Sequence, residues 1–132
     1  MKHDITTRQD IEFLVNSFYQ KVQQDPIIGH IFTQIAQVNW DHHLPKMYDF
    51  WETILFGQIG FKGNPMEVHF KLNQKYPLEQ KHFDQWKLLF NATVEEHFEG
   101  EMAEQAKQKA LSIADLMFFK ISGDGQINLP KG

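Results

Sequence analysis

Residues 63–72 read Gly63-Asn64-Pro65-Met66-Glu67-Val68-His69-Phe70-Lys71-Leu72. Pro65 suits the first position of a helix, because its fixed φ is already helical and its missing N–H would have no intrahelical partner there. From Pro65 the spacing predicts a helix of about two turns carrying Met66, His69, Phe70 and Leu72. Gly57, Gly60, Gly63 and Asn64-Pro65 break regular structure before it, and the polar run Asn73 to Lys75 with Tyr76-Pro77 breaks it after. A helix that short forms poorly alone and must be fixed by packing. Packing on a cofactor is one way to fix it, and a histidine sits at its centre.

Long helices flank this island on both sides. From Thr7, the residues Ile11, Leu14, Val15, Phe18 and Val22 recur at steps of three and four, the mark of one buried helix face. Thr7 followed by Asp10 resembles a capping box, and Pro26 predicts the helix end at Asp25. A short turn follows through Ile27, Ile28, Gly29, Ile31 and Phe32. A second helix is predicted over Trp40 to Phe56, with Trp40, Leu44, Met47, Trp51, Ile54 and Leu55 on one stripe and Pro45 near its first turn. Beyond Tyr76-Pro77, a third long helix covers Glu79 to Phe98, with Phe83, Trp86, Phe90, Val94 and His97 on one face. Gly100 interrupts, and Glu101 to Ile121 forms the last helix, leaving a Gly-rich tail expected to fray beyond Ser122. No segment alternates long enough to read as a strand. The fold class is all-α, in a single domain spanning 1–132 with its helical core over 7–121.

Composition narrows the function. A chain of 132 residues can build one real core but no second catalytic domain. The net charge of −4, with both signs interspersed, lacks the basic stripe that nucleic acid requires. The absence of cysteine excludes disulfides, iron–sulfur clusters and covalent haem attachment through thiols. No apolar run reaches the length of about 18 residues that a membrane span needs, and no signal-peptide pattern is visible, so a cytoplasmic location is expected. Aromatic residues make up 14% of the chain, twelve of them Phe. That excess suits a flat apolar ligand, and equally an ordinary core.

The seven histidines are the natural place to look for chemistry. A di-iron centre of the ferritin kind needs two Glu-x-x-His pairs on facing helices, and the chain has one, Glu79 to His82, at a helix start. The neighbours His42 and His43 diverge by about 100 degrees on a helix, which disfavours joint ligation. One histidine suffices for a haem, because the porphyrin supplies the other four nitrogens. His69, beside Met66, Val68, Phe70 and Leu72, sits where such a ligand belongs. On these residues alone, a histidine satisfied by a backbone carbonyl is the commoner reading.

Further motifs run in order along most of the chain. Phe18-Tyr19-x-Lys21-Val22, Asp25 and Gly29-x-Ile31-Phe32 come first, followed by Trp40-x-x-His43 and Phe50-Trp51. Gly63-Asn64-Pro65-x-x-x-His69 and Phe83-x-x-Trp86-x-x-Leu89-Phe90 complete the series. In order and spacing this set resembles the truncated haemoglobins, most closely their third, bacterial group. The resemblance implies a truncated, two-over-two globin fold that holds haem b non-covalently. It implies His69 as the proximal iron ligand, with Phe32, Met47, Phe50 and Phe70 against the haem. Lys46 takes the place of a residue that pairs with a haem propionate, although a solvated lysine explains it equally well. Tyr19, His43 and Trp86 fall on the distal side.

Dioxygen on ferrous haem carries partial negative charge, which hydrogen-bond donors stabilise. The Tyr19 hydroxyl and the Trp86 indole N–H are donors of that kind; their alternative role is core packing with the polar ends satisfied by backbone. His43 could gate access, donate to the ligand or face solvent. The family reading implies dioxygen, nitric oxide, carbon monoxide or peroxide as small ligands. Redox use of them, such as nitric oxide oxidation or peroxide reduction, would need an external reductase, since nothing here binds flavin or nicotinamide. A monomer or weak dimer is expected. The rival from another class is a cofactor-free helical interaction module, its aromatics forming the core and its short His69 helix a docking loop.

Overall fold

Thr7 opens the first helix, α1 (Arg8–Gln24), with the predicted capping box. Its hydroxyl accepts the Asp10 N–H at 3.1 Å, and the Asp10 carboxylate accepts the N–H groups of Thr6 and Thr7 in return. Ile11, Leu14, Val15, Phe18 and Val22 are all buried, joined by Tyr19. The helix stops where Pro26 requires, and the Asp25 carboxylate accepts the N–H groups of Ile27 and Ile28 at 2.9 Å to turn the chain. Gly29 then passes so close to α1 that a Cβ there would lie 2.8 Å from the Val22 carbonyl oxygen.

The computed structural model describes residues 2–58, 60, 61 and 63–131, with side chains as far as residue 122. After the turn, a π-helical segment occupies Ile31–Ile35, closed by the Ala36 N–H on the Ile31 carbonyl at 2.8 Å. The sequence predicted only an irregular turn there. Next come α2 (Trp40–Phe56), α3 (Pro65–Lys75), α4 (Gln80–His97) and α5 (Glu101–Lys131). Among the described residues there is no strand, only an isolated bridge between His3 and Phe98.

Three boundaries differ from expectation. Pro45 lies inside α2, past its first turn. α3 is eleven residues long rather than about two turns, because Asn73 to Lys75 continue it as solvent-facing residues until Tyr76 turns extended. α5 continues helically past Ile121 to Lys131, although the packed positions end at Ile121; helix propagation needs only one new backbone bond per residue.

The fully buried core lies between α1, α4 and α5. Ala103, Ala106, Ala110 and Ala114 give α5 a narrow buried face, and Phe18, Phe90, Thr93 and Val94 fill the space beside it. A remote cap holds this layer to the N-terminal arm. Gly100, which has no side chain to cap α5, faces Asp4, whose carboxylate accepts the N–H groups of Met102 and Ala103 at 2.9 and 2.8 Å. On the other side, Arg8 bonds Asp49 and Glu52 of α2 at 2.8 Å, fixing the crossing of α1 and α2. The large apolar residues of α2 and α3 are covered less well. Of the predicted α2 stripe only Trp51 and Leu55 are buried, and α3 buries no side chain at all.

Candidate functional site

The incompletely covered residues belong to one region. Phe32 from the π-helical segment, Trp40, Leu44, Met47, Phe50 and Ile54 from α2, Met66 and Phe70 from α3, and Phe83 and Trp86 from α4 are all half-buried and packed against the core. Leaving that much apolar surface half-covered costs roughly 25 cal/mol per Å² of burial forgone. The pattern fits a slot that a flat apolar group would complete.

His69 lies at the middle of α3. Asn64 caps the helix by accepting the Glu67 N–H at 3.1 Å, and Pro65 takes the first helical position, as its sequence predicted. One turn on, the His69 imidazole Nδ1 donates to the Pro65 carbonyl oxygen at 2.7 Å. That bond places the ring proton on Nδ1 and leaves Nε2 as a bare lone pair, the form in which imidazole binds a metal. Burial lowers the His69 pKa and so also favours the neutral, ligating ring, against the opposing pull of the Pro65 hydrogen bond.

Tyr19, His43 and Trp86 come together on other elements. Tyr19 Oη of α1 and His43 Nε2 of α2 are 3.3 Å apart and share a hydrogen bond whose direction follows the His43 tautomer. Around the Tyr19 ring stand Phe18, Phe32, Trp40 and His43, with centroids 4.9 to 5.9 Å away. Burial pushes the Tyr19 hydroxyl well above its usual pKa, so it keeps its proton. The His43 imidazole is pushed down to about 4, first by burial and then by the positive charges that His69 and Lys46 can carry. His43 and His69 are therefore near enough to sense each other's charge. Trp86 reaches this group through Phe18, at 5.5 Å edge-on, and lies flat on Phe90, which lies flat on Trp51. No hydrogen bond among the described residues engages the Trp86 indole N–H, and it is not sealed from solvent.

Of the other predicted residues, Phe32 stacks on Trp40 at 6.2 Å and Phe50 packs edge-on against Phe61 at 5.2 Å. Met47 and Phe70 are half-buried. Lys46 is exposed and has no acidic partner among the described residues. Trp40, read in the sequence both on the α2 stripe and in the Trp40-x-x-His43 motif, lines the Tyr19 group. One contributor escaped the sequence reading. The Pro65 carbonyl as the partner of Nδ1 left no signal, because a backbone acceptor has no residue identity.

The donor set fits the haem that the motifs implied: one neutral imidazole with an unprotonated nitrogen, half-buried apolar and aromatic side chains from α2, α3 and α4, and the hydrogen-bonded Tyr19–His43 pair. Comparison with known proteins leads to the same place. The family model for bacterial-like globins matches residues 3–119. The group 3 truncated hemoglobin ctb of Campylobacter jejuni is 30% identical over 129 residues, covering 93% of this chain and 99% of that protein. The crystal structure of a group III truncated hemoglobin from Campylobacter jejuni superimposes with a TM-score of 0.80 at 28% identity, covering 92% of this chain and 95% of that one. Among the described residues no helix is long and apolar enough to cross a membrane. The chain belongs to the bacterial-like globin family, as a truncated haemoglobin most similar to the third group, and carries that family's haem-binding role.

Proposed function

We propose that His69 Nε2 is the proximal ligand of a non-covalent haem b, and that Tyr19, His43 and Trp86 form the distal pocket for a small diatomic ligand or peroxide. The observation that carries this reading is the His69 Nδ1 hydrogen bond to Pro65, which leaves Nε2 unprotonated, taken together with the globin family match over residues 3–119, because the bond alone fits a carbonyl-satisfied histidine equally well. When bound, haem would supply an iron able to take dioxygen, nitric oxide, carbon monoxide or peroxide.

The chain's own residues do the rest. Phe32, Met47, Phe50 and Phe70 exclude water and hold the porphyrin by apolar contact. Lys46, exposed on α2, is free to meet a propionate. With its proton on Nε2, the neutral His43 donates to Tyr19 Oη and leaves the phenolic hydrogen free to point into the distal space; the other tautomer engages that hydrogen. Trp86 adds an uncommitted N–H. A pocket built of donors retains its ligand rather than delivering it. We therefore assign it to redox use of bound ligands, such as oxidising nitric oxide or reducing peroxide with electrons from an external reductase.

The test is the absorption spectrum of the purified protein in ferric, ferrous and carbon-monoxide forms. The expected result is a haem band that His69→Ala weakens or shifts. A colourless protein that refuses added haemin would sink the reading and favour a cofactor-free interaction module.

A further inference from the structure

His82 begins α4 in an unusual way. The third residue of a capping box is ordinarily Glu or Gln, whose oxygen accepts the N–H of the capping residue. Here the acceptor is the imidazole Nδ1 of His82, 2.8 Å from the Glu79 backbone nitrogen. A ring nitrogen accepts only while it carries no proton, so this bond belongs to the neutral ring protonated on Nε2. His82 is 6% exposed, and its ring leans against that of Tyr76 at a centroid distance of 5.8 Å. Tyr76 Oη lies 3.0 Å from His30 Nε2 in turn. Three segments meet at this point: the turn before the π-helical segment, the residue that ends α3, and the first turn of α4.

α3 is held only by partly buried side chains, Met66, Phe70 and Leu72 packing against the core, and its C-terminal end is otherwise tied by Lys75 Nζ donating to the Ile35 carbonyl at 3.3 Å and by the Asn73 side chain accepting the Leu78 N–H at 2.7 Å. Building on the haem-binding reading above, we propose that His82, Tyr76 and His30 form an acid-releasable clasp that fixes the end of α3 against α4. Haem held by α3 then leaves faster once His82 takes up a proton.

The groups whose charge reaches His82 are Glu79 and Lys81 at the start of its own helix and His30 from the turn before the π-helical segment. Burial dominates and lowers the His82 pKa; Glu79 opposes it, and Lys81 and His30 act in the same direction as burial. The positive end of the α4 dipole also disfavours a cation there. The folded chain thus resists protonation below 6.5, the value of an unburied histidine. The clasp's contribution is complete above that pH and is lost as the pH falls from there through the lowered value.

The experiment compares the parent protein with His82→Gln, which keeps a side-chain acceptor that does not titrate, and His82→Ala, which has none. Haem-loaded proteins are mixed with excess haem-scavenging apomyoglobin, and the release rate is followed between pH 8 and about 5. As the pH falls below 6.5 and through the lowered His82 value, the parent should come to release haem about five-fold faster than His82→Gln, the scale of one lost cap. His82→Ala should be fast at every pH. Independently, the Glu79 amide resonance of the parent should move with the His82 ring nitrogens as pH falls. Parent and His82→Gln proteins that load haem normally but release it alike at every pH overturn the clasp alone. A chain that takes up no haem overturns the clasp and the haem reading together.

Discussion

Replacing Tyr19 with Phe isolates one hydroxyl. The ring is 7% exposed and held edge-on or tilted by Phe18, Phe32, Trp40 and His43, all of which a Phe ring meets equally well. Among the described residues, the one partner of Tyr19 Oη is His43 Nε2, at 3.3 Å, a long neutral hydrogen bond. Its loss should change stability by about 1 kcal/mol or less, since half-buried His43 can rehydrate. The ligand loses more. A donor aimed at partial negative charge in a dry pocket is worth about 1.4 kcal/mol, or ten-fold in the rate of escape. Rapid mixing of the ferrous dioxygen form with excess carbon monoxide reads that rate directly. We expect Tyr19→Phe to release dioxygen roughly ten-fold faster, while carbon monoxide, which carries less negative charge, changes far less. A dioxygen release rate equal to the parent's, in a protein with an unaltered haem band, removes Tyr19 from the distal role.

Asp4→Ala removes the remote cap of α5 and should lower unfolding stability by about 1–3 kcal/mol in urea titrations; an unchanged midpoint would show the cap to be idle. Burial would raise the Asp4 pKa, but hydrogen bonds from the N–H groups of Met102, Ile5 and Ala103 hold it below 3.8. The stability it brings is therefore present above pH 3.8 and lost as pH falls through the lowered value, and the parent and Asp4→Ala should converge in acid. Because the His43 pKa is pushed down to about 4, carbon-monoxide rebinding after flash photolysis should stay flat from pH 8 to about 5; an inflection near 6.5 would mean that His43 charges in that range. Gly29→Ala would set a Cβ 2.8 Å from the Val22 carbonyl oxygen and should cost about 1–3 kcal/mol of stability, read by thermal unfolding.

Periodicity made the helices legible, and α1 most of all, because its whole predicted stripe is buried. It over-predicted the burial of α2. Trp40, Leu44, Met47 and Ile54 have core-like spacing, but they pack against the core only partly buried. The π-helical segment left no trace, since five residues bonded at i to i+5 are too few to set up a period. His69 was legible as a candidate ligand only through the order of the motifs around it. The bond that fixes its tautomer runs to a carbonyl, and the Asp4 cap spans 98 residues of sequence. Contacts of that kind exist only once the chain has folded. Lone Glu79-to-His82 spacing suggested a fragment of a metal site, whereas in space it is a helix cap.

The stack of Trp51, Phe90 and Trp86, together with Trp40 beside Phe32, gathers every indole of the chain around the slot. Indoles emit in the near ultraviolet, where a porphyrin absorbs strongly, and energy passes between them over tens of ångströms. Ultraviolet-excited emission should therefore be bright in the empty chain and nearly dark in the loaded one. The fold carries its own optical gauge of occupancy, readable in dilute solution without any label.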